Sequence, residues 1–402
     1  MLNSPIPQNI SFKLWQFLYP MVIQQSIYAQ QQWADLPTKG SVGKNAHSQL
    51  VLIFGAKNHI ADLDLRTQIR TRYPRADLVF ASTAGEILDN QVLDDTLCTI
   101  AIDFANTPTR CALSNIRDYP SSHAMGQCLF QRLNQPDLNS IFLVSDGTMV
   151  NGSDLIAGLN KENQQRVPIS GGLAGDGDHF VDTLIGLNDH VGMGNVVAIG
   201  FYGDALQVYH SSLGGWDEFG RDRIITKSDK NVLHELDGKN ALDLYKEYLG
   251  PFSAELPGSA LLFPISIKTA ESEQKLVRTI LTIDEAQKSM TFAGNMPEGA
   301  TVRLMKANFD KLTEASAESA RQIMQYADHR KLELAILISC VGRKLVLQAR
   351  TEEEVWAAKN ILGEHTAIAG FYSYGELSPY TPSGRCELHN QTMTITGFCE
   401  KC

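Results

Sequence analysis

The side chains with the most chemistry in them form two acidic turns and one thiol–imidazole cluster. Glu86 stands in Ser82-Thr83-Ala84-Gly85-Glu86-Ile87, and Glu376 in Tyr372-Ser373-Tyr374-Gly375-Glu376-Leu377. A carboxylate just after a strand-end glycine can grip an ammonium or amide of a bound molecule. It can equally accept backbone N–H bonds within its own turn. Two in matching places point to one shared role, in binding or in structure. Cys386-x-x-His389 and Cys399-x-x-Cys402 have the donor types and spacing of a four-ligand zinc set. An extended strand between the pairs would hold its ends about 30 Å apart at ~3.3 Å per residue, which weighs against convergence on one ion. Cys399 and Cys402 are read instead as a redox pair near an exposed terminus, or as inert thiols in a frayed tail.

These groups need elements to hold them. Each acidic turn closes the same arrangement: an apolar run, a polar helical stretch, then a second apolar run. Residues 50–56, 62–72 and 77–81 make the first copy, and residues 334–341, 351–362 and 366–371 the second. Short continuous apolar runs suit central strands covered on both faces, with crossover helices between them. The expectation is an α/β fold of two related lobes, with mixed sheets and crossover helices. Ligands commonly lodge where such halves meet. Residues 1–48 read as a lead helix and a loop. The runs 96–104 and 109–116 read as a hairpin, as do 196–202 and 205–210 across Gly203-Asp204. A polar stretch at 228–238 marks a boundary. Residues 241–249 form a helix stopped by Gly250 and Pro251, and several strands follow it.

The chain has 402 residues, is 43% hydrophobic and carries a formal net charge of -10. That balance, with no basic block, argues against nucleic acid as a partner. Residues 14–23 form the most apolar stretch near the start. They contain Gln16 and Pro20 and are too short to span a membrane. No secretory signal is recognisable, and the odd count of seven Cys suits a cytoplasmic protein.

Residues 82–87, 169–176, 196–204 and 241–249 resemble the FIST family of intracellular signal-transduction sensors. So does the ending, Gly370-Phe371-Tyr372-Ser373-Tyr374-Gly375-Glu376-Leu377-Ser378, followed by Leu388-His389-Asn390-Gln391-Thr392-Met393-Thr394. The resemblance implies a lead segment (1–46), a FIST N-type domain (47–235) and a FIST C-type domain (236–402). It further implies a stand-alone cytoplasmic sensor of a small ligand that regulates a separate signalling protein. The ligand is expected to be haem, used for nitric oxide sensing, with a histidine kinase as partner in two-component signalling. A metabolite such as an amino acid is the alternative, and an enzyme of unknown reaction type the weaker one. No nucleophile elbow, metalloprotease helix or kinase signature is present.

On that reading His389 is the first candidate for axial haem ligation, ahead of His210 and His179. Its alternative role is a backbone bond at a strand end. Glu86, Glu376, Ser170, Gly171, Gly172, Asp176, Tyr372 and Tyr374 are the candidate ligand contacts. The glycine cluster 171–177 is taken as a ligand-lining loop or a tight structural turn. Trp216, Phe201 and Phe371 are pocket walls or plain core.

Overall fold

The computed structural model describes residues 21–40, 48–268, 275–380 and 384–401. Cys402 and most of the lead segment, residues 1–20 and 41–46, lie outside them. Among the described residues no helix is long and apolar enough to cross a membrane.

The apolar runs become parallel strand pairs. Leu50–Gly55 pairs with Asp77–Ser82, and Leu334–Cys340 with Ala367–Ser373. A third pair, which the sequence did not disclose, is Leu138–Ser145 with Ile169–Leu173. Parallel neighbours need a crossover, and the helices Leu63–Arg72, Thr351–Leu362 and Gly152–Asn163 supply it. The first is capped by Asp62, whose carboxylate accepts the N–H groups of Asp64 and Leu65.

Each pair sits in a mixed sheet, and the three sheets share one strand order: an outer hairpin, the second strand of the pair, the first strand, then antiparallel strands, three in the first sheet and two in each of the others. The outer hairpin is always lent by another sheet. Glu86–Leu88 follows Asp77–Ser82 in the chain but pairs with Ala367–Ser373. Gly375–Pro379 follows Ala367–Ser373 but pairs with Ile169–Leu173. Ile185–Leu187 follows Ile169–Leu173 but pairs with Asp77–Ser82. The exchange closes a ring of three units.

Strand alternation explains how the ring is filled. Leu50, Leu52 and Phe54 meet Phe142, Val144, Ile336, Ile338 and Phe371 in one core common to the three sheets. The intervening residues Val51 and Ile53 pack outward on Ile60 and Ile69 of the first unit's helices. Phe54 and Phe371 have ring centroids 4.7 Å apart, and Phe201 and Phe398 5.8 Å.

Several expectations change. Val22–Ala29 is a strand that pairs with Leu97–Asp103 and with Gln32–Asp35, where a helix and loop were expected. The two expected hairpins do not form. Leu97–Asp103 lies in the first sheet and Thr109–Asn115 in the second; Asn195–Tyr202 lies in the second and Leu206–Leu213 in the third. The short turns carry the chain between sheets: Thr109–Asn115 pairs with Asn195–Tyr202, and Leu206–Leu213 with Met393–Glu400.

Residues 217–306 add a fourth, antiparallel sheet. Its core gathers Ile225, Leu242, Tyr245, Met290 and Phe292 around the helix Ala241–Leu249. The polar stretch at 228–238 is the turn and second strand of its hairpin, Asp217–Asp229 with Val232–Leu236.

Candidate ligand cavity

The carboxyl-terminal ends of the three parallel pairs meet, and their turns interlock. The Ser82 hydroxyl donates to the Gly175 carbonyl at 2.8 Å. The Ala84 N–H donates to the Tyr372 carbonyl at 2.8 Å, and the Tyr374 N–H to the Leu173 carbonyl at 3.3 Å. The ends of parallel strands at such a switch in topology are the usual place for ligands in α/β folds.

Both glutamates are tied into their own turns, and Glu86 also lines the polar cleft described below. Glu86 accepts the Thr83 and Thr96 hydroxyls, both at 2.5 Å, and the Thr96 N–H at 3.3 Å. Glu376 accepts the Ser373 and Thr392 hydroxyls, both at 2.8 Å, and the Thr392 N–H at 3.1 Å. Burial pushes Glu86 up to about 7 and Glu376 up to about 8, against hydroxyl and N–H donors that pull the other way. The repeated motif is therefore a repeated staple. A carboxyl group ties the turn to the residue that opens the next strand of its unit.

Other candidates are likewise structural. Ser170, Gly171 and Gly172 lie inside the strand Ile169–Leu173 and are buried, so the glycine cluster opens as sheet and not as a ligand loop. A Cβ on Gly171 would lie 1.8 Å from the Leu143 carbonyl oxygen. Tyr372 is fully buried and its hydroxyl donates to Glu354 at 2.8 Å. Phe201 and Phe371 are core, and Trp216 donates its indole N–H to the Gln391 carbonyl at 2.8 Å.

His389 does not fit a haem. Its ring is fully buried, and Nε2 donates to the Ser378 carbonyl at 2.9 Å, which leaves Nδ1 as the acceptor nitrogen. Burial lowers its pKa to about 4, so the ring is neutral. Tyr380 packs against it with centroids 4.7 Å apart. An axial ligand needs open space beside the donor nitrogen, and His389 lines neither of the two cavities described below. His210 is as enclosed and is also lowered to about 4 by burial. His179 is exposed, but it sits among Asp94, Asp95 and Asp176, which would repel haem propionates. Cys399 is buried in the strand Met393–Glu400, where burial pushes its thiol up to about 11. It is not the reactive terminal thiolate expected of a redox pair. Among the described residues no group of His, Cys, Asp and Glu is arranged to hold a metal ion.

Glu86, Asp176 and Tyr374 do line open space, the first two in one cavity and Tyr374 in another. A cleft of about 420 Å³ at the end of the first unit is polar, with Lys57, Asn58, Asp94, Asp95, Asp176 and His179 among its walls. Lys57 spans the loop by pairing with Asp176 at 3.1 Å and with Asp182. Side-chain hydrogen bonding to Asp182 raises the lysine pKa.

The larger cavity, about 620 Å³, lies between the strand ends of the second and third units and the fourth sheet. The second unit supplies residues 147–152 and Leu173. The third supplies Cys340, Val341, Gly342 and Tyr374. The fourth sheet and its flanking turns supply Asn231, Leu261, residues 279–282 and residues 292–294. No described residue in this lining is acidic, basic or a histidine. Met149, Phe180 and Leu281 keep part of their apolar surface in solvent at its edge. The sequence reading found Tyr374 but missed the contribution of the fourth sheet. The glycines at 147, 152, 258, 294 and 342 were the available signal, since all five line the cavity.

The family model described as the FIST N domain matches residues 49–239, and that described as the FIST C domain matches residues 241–379. None of the curated proteins compared with the chain matches it.

Proposed function

This chain belongs to the FIST family, and on that premise we propose that it is a signal-transduction sensor whose stimulus is a small, uncharged, largely apolar molecule bound in the 620 Å³ cavity. The observation that carries this reading is the charge-free lining of a ligand-sized space at a junction of structural units. A zwitterionic amino acid or a haem with two propionates would leave its charges without partners there, and burying an unpaired charge is strongly unfavourable. Phe180 and Tyr374 form the wall shared with the loop 176–182. A ligand that binds more tightly to one position of Phe180 shifts the population of that loop, and a signalling partner reads the shift.

A thermal-shift panel of uncharged metabolites, amino acids and haemin tests the reading. The expected result is stabilisation by an uncharged compound that grows with its concentration as linkage requires, is lost in Ala293→Trp, which fills the cavity, and is accompanied by no Soret band in the purified protein. Stabilisation confined to amino acids or haemin overturns it.

A further inference from the structure

We propose that Lys57 latches a lid on this cavity: its ion pairs with Asp176 and Asp182 hold the loop 176–182 in place, and their release lets Phe180 swing away from the cavity edge. The proposal rests on the cavity being the ligand site. The loop follows the strand Ile169–Leu173 of the second unit and contributes to two separate spaces. Asp176, Gly177, His179 and Val181 line the polar cleft, and Phe180 lines the apolar cavity. Phe180 and Val181 are 41% and 70% exposed, so this part of the loop stands at the surface with room to move outward.

The loop has few ties. Among the described residues, the hydrogen bonds and ion pairs that join residues 178–182 to distant parts of the chain come from two side chains. Tyr374 of the third unit accepts the Phe180 N–H at 3.0 Å. Lys57, at the start of the helix Lys57–Ala61 in the first unit, reaches Asp176 at 3.1 Å and also Asp182. One lysine thereby joins the two ends of the loop. Motion stops just beyond it. Thr183 is buried and its hydroxyl accepts the Gly147 N–H at 3.0 Å, and the Leu184 N–H donates to the Ser82 hydroxyl at 2.9 Å. The side chains of Lys57 and Asp182 keep 33% and 30% of their surface in solvent. Ion pairs so placed are weak enough to open readily. Lys57 does not line the cavity. It therefore touches no occupant, and its pairs slow entry and exit alike while leaving the affinity unchanged. Lids of this kind set rates through opening.

The test uses prodan, an uncharged naphthalene fluorophore, in stopped-flow binding. Hydrogen exchange at the Phe180 N–H is the readout that needs no ligand. Lys57→Met is expected to raise the association and dissociation rates of prodan together by about 3- to 10-fold, to leave their ratio unchanged, and to speed exchange at Phe180 by a similar factor. Lys57→Arg is expected to restore the wild-type rates. Asp182→Asn keeps the Asp176 pair, so it should give a smaller rise, and it serves in place of the methionine variant if that protein does not fold. Raising salt from about 0.05 to about 0.5 M should speed both rates in the wild-type protein and neither in Lys57→Met, since salt screens exposed pairs. A lysine that merely supports the wall would change the ratio instead. Unchanged rates, unchanged exchange or a changed ratio in these variants overturns the latch, and prodan binding that is lost in Ala293→Trp then leaves the cavity reading standing. Failure of prodan to bind the wild-type protein, or equal binding to Ala293→Trp, overturns the cavity reading itself.

Discussion

The ring of Tyr374 stacks on that of Phe180, with centroids 4.5 Å apart and planes 18° from parallel, and its hydroxyl accepts the Phe180 N–H at 3.0 Å. The same oxygen accepts the Asp176 N–H at 3.0 Å. Phe180 is held at φ +56, a conformation that a bulky residue enters only when its surroundings enforce it. Tyr374→Phe keeps the stacking but leaves both N–H groups without their acceptor. The expected loss is about 1–3 kcal/mol, with faster hydrogen exchange confined to residues 176–182. Unchanged exchange at Asp176 and Phe180 would show that the hydroxyl does not hold this loop.

The carboxyl staples give the protein a specific pH dependence. Glu376 and Glu86 have folded values of about 8 and about 7 against an ordinary 4.5, so the folded state holds protons that the unfolded chain has released. Their contribution is full below 4.5 and is lost as pH rises through about 8. His389 and His210 act in the opposite sense. Lowered from 6.5 to about 4, they contribute fully above 6.5 and lose that contribution as pH falls towards 4. Between 6.5 and 8 the carboxyl groups are left to set the slope, which is downward. Glu376→Gln is expected to remove about 2 kcal/mol of that decline, from ~1.4 kcal/mol per proton and pH unit. Urea midpoints measured across the interval check it, and a slope identical to wild type refutes it.

The parts of this fold that could be read from sequence are those set by local pattern. The helices Ala241–Leu249 and Thr351–Leu362 end where the capping residues, Gly250 and Gly363, dictate. The strands around the two Gly-Glu turns were visible because apolar runs and turn residues repeat. The second unit was hidden by its own chemistry. Its acidic turn is Gly175-Asp176, and its second strand contains Gly171-Gly172, which looks like a loop until Leu143 is placed against it. The exchanged hairpins were invisible for a different reason. Pairing of Glu86–Leu88 with Ala367–Ser373 is a long-range choice that no local propensity encodes. The cavity inherits that limit, since its walls come from residues 147–152, 279–282 and 340–342, far apart in the chain.

Gly171 and Gly370 occupy the same place in their units, and both are predicted to be intolerant of any side chain. Each sits on the second strand of a parallel pair, opposite Leu143 and Leu337 respectively. A Cβ would lie 1.8 Å from the Leu143 oxygen in one case and 1.7 Å from the Leu337 oxygen in the other. Gly171 also holds φ +147, which L side chains rarely adopt. Backbone cannot move aside as a flexible side chain can, so Gly171→Ala and Gly370→Ala should each cost about 3 kcal/mol or more. Gly203, with open space around its Cβ position, is the control. Its alanine variant should lose only about 1 kcal/mol, through its positive φ. Equal denaturation midpoints for the three variants would refute the packing argument.

Arg343 and Glu354 form an ion pair with no exposure on either side, and it stands directly behind the cavity wall at Gly342. Glu354 Oε2 accepts from Nε at 2.9 Å and from Nη2 at 2.7 Å, while Oε1 accepts the Ser339 and Tyr372 hydroxyls at 2.9 and 2.8 Å. Nη2 also donates to the Leu312 carbonyl at 2.8 Å. Removing one partner strands the other charge in the interior. Glu354→Ala and Arg343→Ala are each expected to cost about 3–5 kcal/mol. The double variant strands nothing, so its loss should fall well short of the sum, with a coupling of about 1–3 kcal/mol in a double-mutant cycle. The pair also anchors the helix Val341–Leu347, whose first residues wall the cavity. Replacing both residues by apolar ones of similar volume should therefore restore much of the stability while loosening that wall, and affinity for the uncharged compound found in the thermal-shift panel should fall without a matching fall in midpoint. Additive single losses would mean the two charges are solvated separately, which their burial forbids.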